Sequence, residues 1–286
     1  MESLSVVNGN TFIIGNGGSS GARTLTLGKS GAFTNALSGV VNDLIYLSDT
    51  SSLTIQPSVN SGTQTLSLVL AQSGNFSVGS TASLHIASAI SGANYGITKT
   101  GAGTLTLNGT NTYTGSTIVF AGKIVLGSAG SIASASILKI ASGATFDVKA
   151  KSGTGFTLNN PLTIDVDAAN AGKLDATGAA LTYGGNLTLN ITTSTPLSSY
   201  NLFTFSSETG TFSSIALTGS FSGNMTNTSG VWTSLSNEFD FTFDESTGVL
   251  ATAAVPEPGT WVLLGIAAAF VLYRLGRKES VTSRRA

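Results

Sequence analysis

Few side chains in this 286-residue chain are of kinds that do chemistry, and their spacing decides what each could do. His85 is the only histidine. It lies between Leu84 and Ile86, and alternation along a strand points it outward while its neighbours enter a core. Cysteine is absent, which removes disulfides, thiolate zinc sites and cysteine nucleophiles. Gly17-Gly18-Ser19-Ser20-Gly21 fits the spacing of a nucleophile elbow, but without the preceding strand and following helix that such an elbow needs. Asp165 and Asp167 share a strand parity and could offer two carboxylates to a calcium ion, yet a hard cation takes about six to eight oxygens from several segments. Glu238, Asp240, Asp244 and Glu245 surround Phe239, Phe241 and Phe243, which reads as an alternating strand with its charges outside. Lys99, Lys123, Lys139, Lys149, Lys151 and Lys173 are spaced singly, with no carboxylate cluster in register. A polysaccharide lyase would need such a base beside calcium-bound carboxylates, so it is the rival to the reading favoured here: no enzyme, no metal and no cofactor.

Short β-strands must position these residues. Charged residues make up 9% of the chain and hydrophobic ones 41%, with 35 glycines, a turn-and-strand composition. Apolar pairs spaced i, i+2 recur at Leu25/Leu27, Ile45/Leu47, Leu66/Leu68, Leu84/Ile86, Leu105/Leu107, Ile124/Leu126, Phe146/Val148, Ile164/Val166, Leu187/Leu189 and Phe203/Phe205, about every twenty residues. Every second pair carries a similar phrase, as in Thr24-Leu25-Thr26-Leu27 and Thr104-Leu105-Thr106-Leu107, giving a longer step near 40. Stacked rungs of about twenty residues would bury these pairs in a column, so a right-handed parallel β-helix is expected for residues 1–180, with Leu25, Leu66, Leu105 and Phe146 on its interior side. A β-sandwich is the alternative that the same composition permits. Residues 181–254 are richer in aromatics and read as an antiparallel β cap closing the solenoid's end. Residues 1–255 hold 8 Lys and Arg against 12 Asp and Glu; a nucleic-acid partner would require a basic face instead.

One stretch is specific. Ile97-Thr98-Lys99-Thr100-Gly101-Ala102-Gly103-Thr104-Leu105-Thr106-Leu107-Asn108-Gly109, followed by Asn111-Thr112-Tyr113-Thr114-Gly115 and Ala121-Gly122-Lys123-Ile124, resembles the autotransporter-associated β-strand repeat, over residues 96–127. The resemblance implies a parallel β-helical stem on a secreted bacterial protein. Phe120-Ala121-Gly122-Lys123 departs from the simpler Ala-Gly-Thr usual in that family. A self-transporting protein would also need a C-terminal barrel, for which nothing after Ala180 leaves room.

Residues 255–286 have a different character. Val255-Pro256-Glu257-Pro258 leads into the apolar run Trp261 to Tyr273, and then into Arg274, Arg277 and Lys278. The prolines exclude an earlier helix start, and Trp261 and Tyr273 fall where interfacial aromatics belong. Thirteen apolar residues make about 20 Å of helix against a hydrocarbon core of ~30 Å. A helix over about 260–275 spans with bilayer thinning and a snorkelling Arg274, and the basic end places the C-terminus in the cytoplasm. This order of motif, apolar helix and basic end resembles the PEP-CTERM sorting signal. The resemblance implies recognition of Pro256, Glu257 and Pro258 by an exosortase, removal of the tail, and passage from the inner membrane to the cell surface or extracellular matrix, with an extracellular polysaccharide as a possible partner. A permanent tail anchor is the alternative. No basic n-region or apolar core of a signal peptide is visible near Met1, so export calls for a leader upstream of it.

Overall fold

The structure, a computed structural model, describes residues 4–7, 11–16, 22–28, 43–58, 65–133, 136–236 and 238–255. Strands dominate it, and the one helical element among these residues is the 3-10 turn Lys149–Lys151. Most strands pair in parallel with the strand one rung earlier and one rung later, which is the pattern of a β-solenoid with three faces. The first face stacks Leu4–Val6, Asp43–Leu47, Gly74–Val78, Ile97–Thr100, Thr117–Val119, Leu138–Ile140, Leu162–Val166, Asn186–Ile191 and Ser214–Gly219. The second runs from Thr11–Asn16 through Ser52–Ser58, Ser83–Ile86, Thr104–Leu107, Lys123–Leu126 and Thr145–Asp147 to Lys173–Tyr183, which also pairs with Phe156–Leu158 and Phe203–Gly210. The third holds Ala22–Leu27, Thr65–Leu70 and Ile90–Ser91. Beyond Ser91 its ladder passes through a side chain: Asn111 Oδ1 accepts the Ile90 N–H at 2.9 Å and Asn111 Nδ2 donates to the Ser131 carbonyl at 2.9 Å.

Alternation explains the core. Inward positions of the first face form the column Ile45, Phe76, Lys99, Val119, Ile140, Ile164, Leu189 and Leu217. The second face supplies Leu53, Leu84, Leu105, Ile124, Phe146, Leu174 and Phe203. All but Leu217 are completely buried, and each large apolar member contributes about 1.5–3 kcal/mol relative to exposure. The corners between faces are tight. A Cβ on Gly101, whose φ is +73°, would lie 2.2 Å from the Val78 carbonyl oxygen of the preceding rung, so only glycine allows the rungs to stack there.

Two expectations about the repeat need correction. A rung of about twenty residues holds only from Leu84 through Leu105 and Ile124 to Phe146. On either side the rungs are longer, as in the pairings Leu53 with Leu84 and Leu174 with Phe203. For the same reason the step near 40 does not mark one column. Leu25 and Leu66 belong to the third face, and not as mutual partners, since Leu25 pairs with Leu68. Leu105 and Phe146 belong to the second face, and Leu187 to the first. A constant sequence interval drifts from face to face when rung length varies.

Parallel pairing also continues past residue 180, through Asn186–Ile191, Phe203–Gly210 and Ser214–Gly219. The antiparallel sheet consists of Ser199–Asn201, Val249–Ala254, Phe239–Asp244, Val231–Leu235 and Thr226–Thr228, in that lateral order. Its Phe243 packs against Tyr183, Phe203 and Phe212 of the last rungs, at ring-centroid distances of 6.5, 5.6 and 6.2 Å.

Candidate functional site

The functional signal in the sequence is the C-terminal segment, and the structure fixes how the folded part hands over to it. Val249–Ala254 lies between Phe239–Asp244 and Ser199–Asn201. The next residue, Val255, donates its N–H to the Glu238 carbonyl at 2.9 Å. The fold therefore holds the chain up to the residue before Pro256, Glu257 and Pro258. Those three, with Trp261, Tyr273, Arg274, Arg277, Lys278 and the expected helix, lie outside the described residues. Among the described residues no helix is long and apolar enough to cross a membrane.

The sheet that carries this exit is fastened to the solenoid by Glu245. Its side chain is buried, and Oε1 accepts the Phe212 N–H at 2.8 Å, the Thr211 hydroxyl at 2.9 Å and the Trp232 Nε1–H at 3.0 Å. The expectation that all four acidic residues of this segment face outward is therefore wrong for Glu245. Parity was the available signal, because Glu245 shares a face with the buried Phe241 and Phe243.

Lys99 shows the same principle in the repeat region. It shares parity with Ile97 and lies completely buried in the first column between Phe76 and Val119. Its ammonium donates to the carbonyls of Thr100 at 2.8 Å, Gly101 at 2.7 Å and Ala121 at 3.3 Å, closing the corner between two rungs. Burial lowers its pKa to about 8, which leaves it protonated at neutral pH.

Outward residues meet partners from neighbouring rungs. The lysines, spaced singly in sequence, do find carboxylates once the rungs stack, which corrects the expectation that none lies in register. Lys123 and Lys149 lie 3.7 and 3.1 Å from Asp147, Lys149 also lies 3.4 Å from Asp175, and Lys139 is 3.0 Å from Asp165. Burial works against the Asp175 carboxylate, but hydrogen bonds from the Thr177 hydroxyl and amide and from Thr204, with the nearby Lys149 ammonium, outweigh it and hold its pKa below the usual range. Lys151 is engaged separately, donating to the carbonyls of Ser128 and Gly130.

Asp165 and Asp167 do not converge on a common point. Asp165 pairs with Lys139 and accepts from Asn190 at 2.8 Å. Asp167 accepts from the Ser142 hydroxyl and from the amides of Ala169 and Asn170. Among the described residues no three acidic or histidine side chains come together as a metal group would require. His85 points outward in register with Thr106, its ring Nε2 2.9 Å from the Asn108 amide nitrogen. The Gly17–Gly21 motif lies outside the described residues.

Comparison with known proteins separates two elements. The model of the PEP-CTERM protein-sorting motif matches residues 254–278, beginning at the last residue of the strand Val249–Ala254. The model of the passenger-associated-transport repeat matches residues 97–126, the rungs with the twenty-residue step. The chain thus carries a sorting motif of the kind that exosortases recognise, behind a β-rich body containing a transport-associated repeat. No curated protein and no solved structure matches it.

Proposed function

We propose that this chain is a non-enzymatic surface or extracellular-matrix protein whose body is a right-handed β-helical stalk and whose tail makes it an exosortase substrate. In this reading the segment about 260–275 enters the inner membrane, Arg274, Arg277 and Lys278 stay in the cytoplasm, and cleavage near Pro256-Glu257-Pro258 releases the body. The observation that carries it is the sorting motif starting where the last strand ends, so that a completed fold directly precedes the recognised residues.

The test is to replace Pro256, Glu257 and Pro258 by alanines in an exported form and to express it with and without an exosortase. The wild type should lose its basic tail and leave the membrane fraction only when the exosortase is active, and the variant should stay behind. Retention of an intact tail in the wild type beside an active exosortase would leave a permanent anchor as the function of this segment. A second reading, contact with an extracellular polysaccharide, rests on Phe120. Phe120 is 62% exposed immediately after the strand Thr117–Val119, and Phe120→Ala should weaken co-sedimentation with matrix polymer if that reading holds.

A further inference from the structure

The antiparallel sheet has two ends, and the chain leaves from one of them. Ala254 sits opposite Phe239, and Val255 is bonded to Glu238, so the tail departs beside the turn that follows Leu235. Two large apolar side chains are exposed at that same end. Leu235, the last residue of Val231–Leu235, is 82% exposed. Trp232, three residues earlier, faces the core, so by parity Leu235 projects from the solvent side of the sheet. Leu197 is 46% exposed on the other flank of the exit. Thr252 holds it there by donating its N–H to the Ser198 carbonyl at 2.9 Å and its hydroxyl to the Leu197 carbonyl at 2.5 Å. Among the described residues beyond Ile137, these two are the only exposed large apolar side chains.

The length of the tail says what lies against them. Five residues, 256–260, separate Val255 from Trp261. Even fully extended, that connection spans about 20 Å, so a tail seated in a bilayer keeps this end of the sheet close to the headgroups. Residues 181–254 contain no Lys or Arg, while Glu238 and Asp240 stand near the exit. Attraction to anionic lipid therefore contributes nothing, and apolar contact enforced by the tether is what remains.

We infer that Leu197 and Leu235 form a foot that rests in the interfacial zone of the membrane receiving the C-terminal segment. The inference depends on the membrane insertion proposed above, and it adds a folded surface that touches the same bilayer. It orients the body relative to the membrane and holds the motif at headgroup level, where a membrane enzyme meets it.

Because the chain has no cysteine, single labels are unambiguous. The full chain carrying a nitroxide at Leu235→Cys, Leu197→Cys, Ser229→Cys or Ile266→Cys is reconstituted into phosphatidylcholine vesicles, and collision with oxygen is compared with collision with a water-soluble nickel chelate. Ser229 is the control, since it lies in the turn at the opposite end of Val231–Leu235. The expected oxygen-to-nickel ratio at 235 and 197 is several-fold that at 229, and it does not rise when anionic lipid is added. Ratios at 235 and 197 equal to that at 229, with 266 shielded, would overturn the foot and leave the anchor standing. A water-exposed label at 266 would remove both. Dipolar broadening between labels at 235 would reassign the surface to a second copy of the chain.

Discussion

Lys99 and Glu245 are buried charged side chains, and each has a defined job. Glu245 gathers three donors from two parts of the chain, so its loss strands the buried Phe212 amide and Trp232 indole N–H. Glu245→Ala is expected to cost about 2–4 kcal/mol, and Glu245→Gln, which keeps an acceptor, about 1 kcal/mol. Urea unfolding followed by tryptophan fluorescence measures both, and equal midpoints for the two variants would refute the role of the acceptor. Lys99 gives a pH signature. Its pKa is about 8 in the folded chain against 10.5 when free, so between those values the unfolded state binds more protons and stability rises with pH. Relative to Lys99→Met, the wild type should gain stability as pH is raised from 8 toward 10.5. A difference between the two that does not change over this range would show that the ammonium is not desolvated.

At the scale of the strand, facing is a stronger determinant than composition. Leu105 is fully buried between Leu84 and Ile124, whereas Thr106 sits outward between His85 and Val125. Leu105→Asp should cost several kcal/mol, about 3–5, by placing an unpaired charge in the column. Thr106→Asp should stay within about 0.5 kcal/mol, and a comparable urea midpoint for both would overturn the assigned faces. Strand existence and alternation were legible in the sequence because Leu, Ile and Val alternate with Thr and Ser. Register was not legible, because it is set by rung lengths that alternation does not record, and so Leu25 and Leu105 were placed in one column although they occupy different faces. The lysine–aspartate pairs were hidden for the same reason: Lys139 and Asp165 become neighbours only after the rung between them is closed. Parity was available for Glu245, but the expectation that charge belongs outside overrode it. Of the sorting segment, the motif was legible from residue order alone. What sequence could not supply is the hydrogen bond from Val255 to Glu238 that holds the chain up to that motif.

For the molecule as a whole, the ion pairs and hydroxyl contacts that run across the rungs set its acid limit. Asp175 and Asp167 both titrate below the usual carboxylate range when folded. Their contribution is therefore present above the unfolded value of 3.8 and is lost as pH falls from there toward the folded values. Stability measured by urea titration should be flat with respect to these groups above about pH 5 and fall below about pH 4, and Asp175→Asn should flatten that fall. An unchanged acid limb in the variant would exclude Asp175 as a contributor. The stacking described for the first face has one more consequence. Its nine parallel strands, from Leu4–Val6 to Ser214–Gly219, are separated by eight steps of ~4.8 Å, so more than two hundred residues advance only about 38 Å. A single α-helix would cover that distance in about 26 residues. Each added twenty-residue rung would raise the far end by under 5 Å. A body built this way is a short post: it offers flanks, and it meets its surroundings sideways, within a few nanometres of whatever surface holds it.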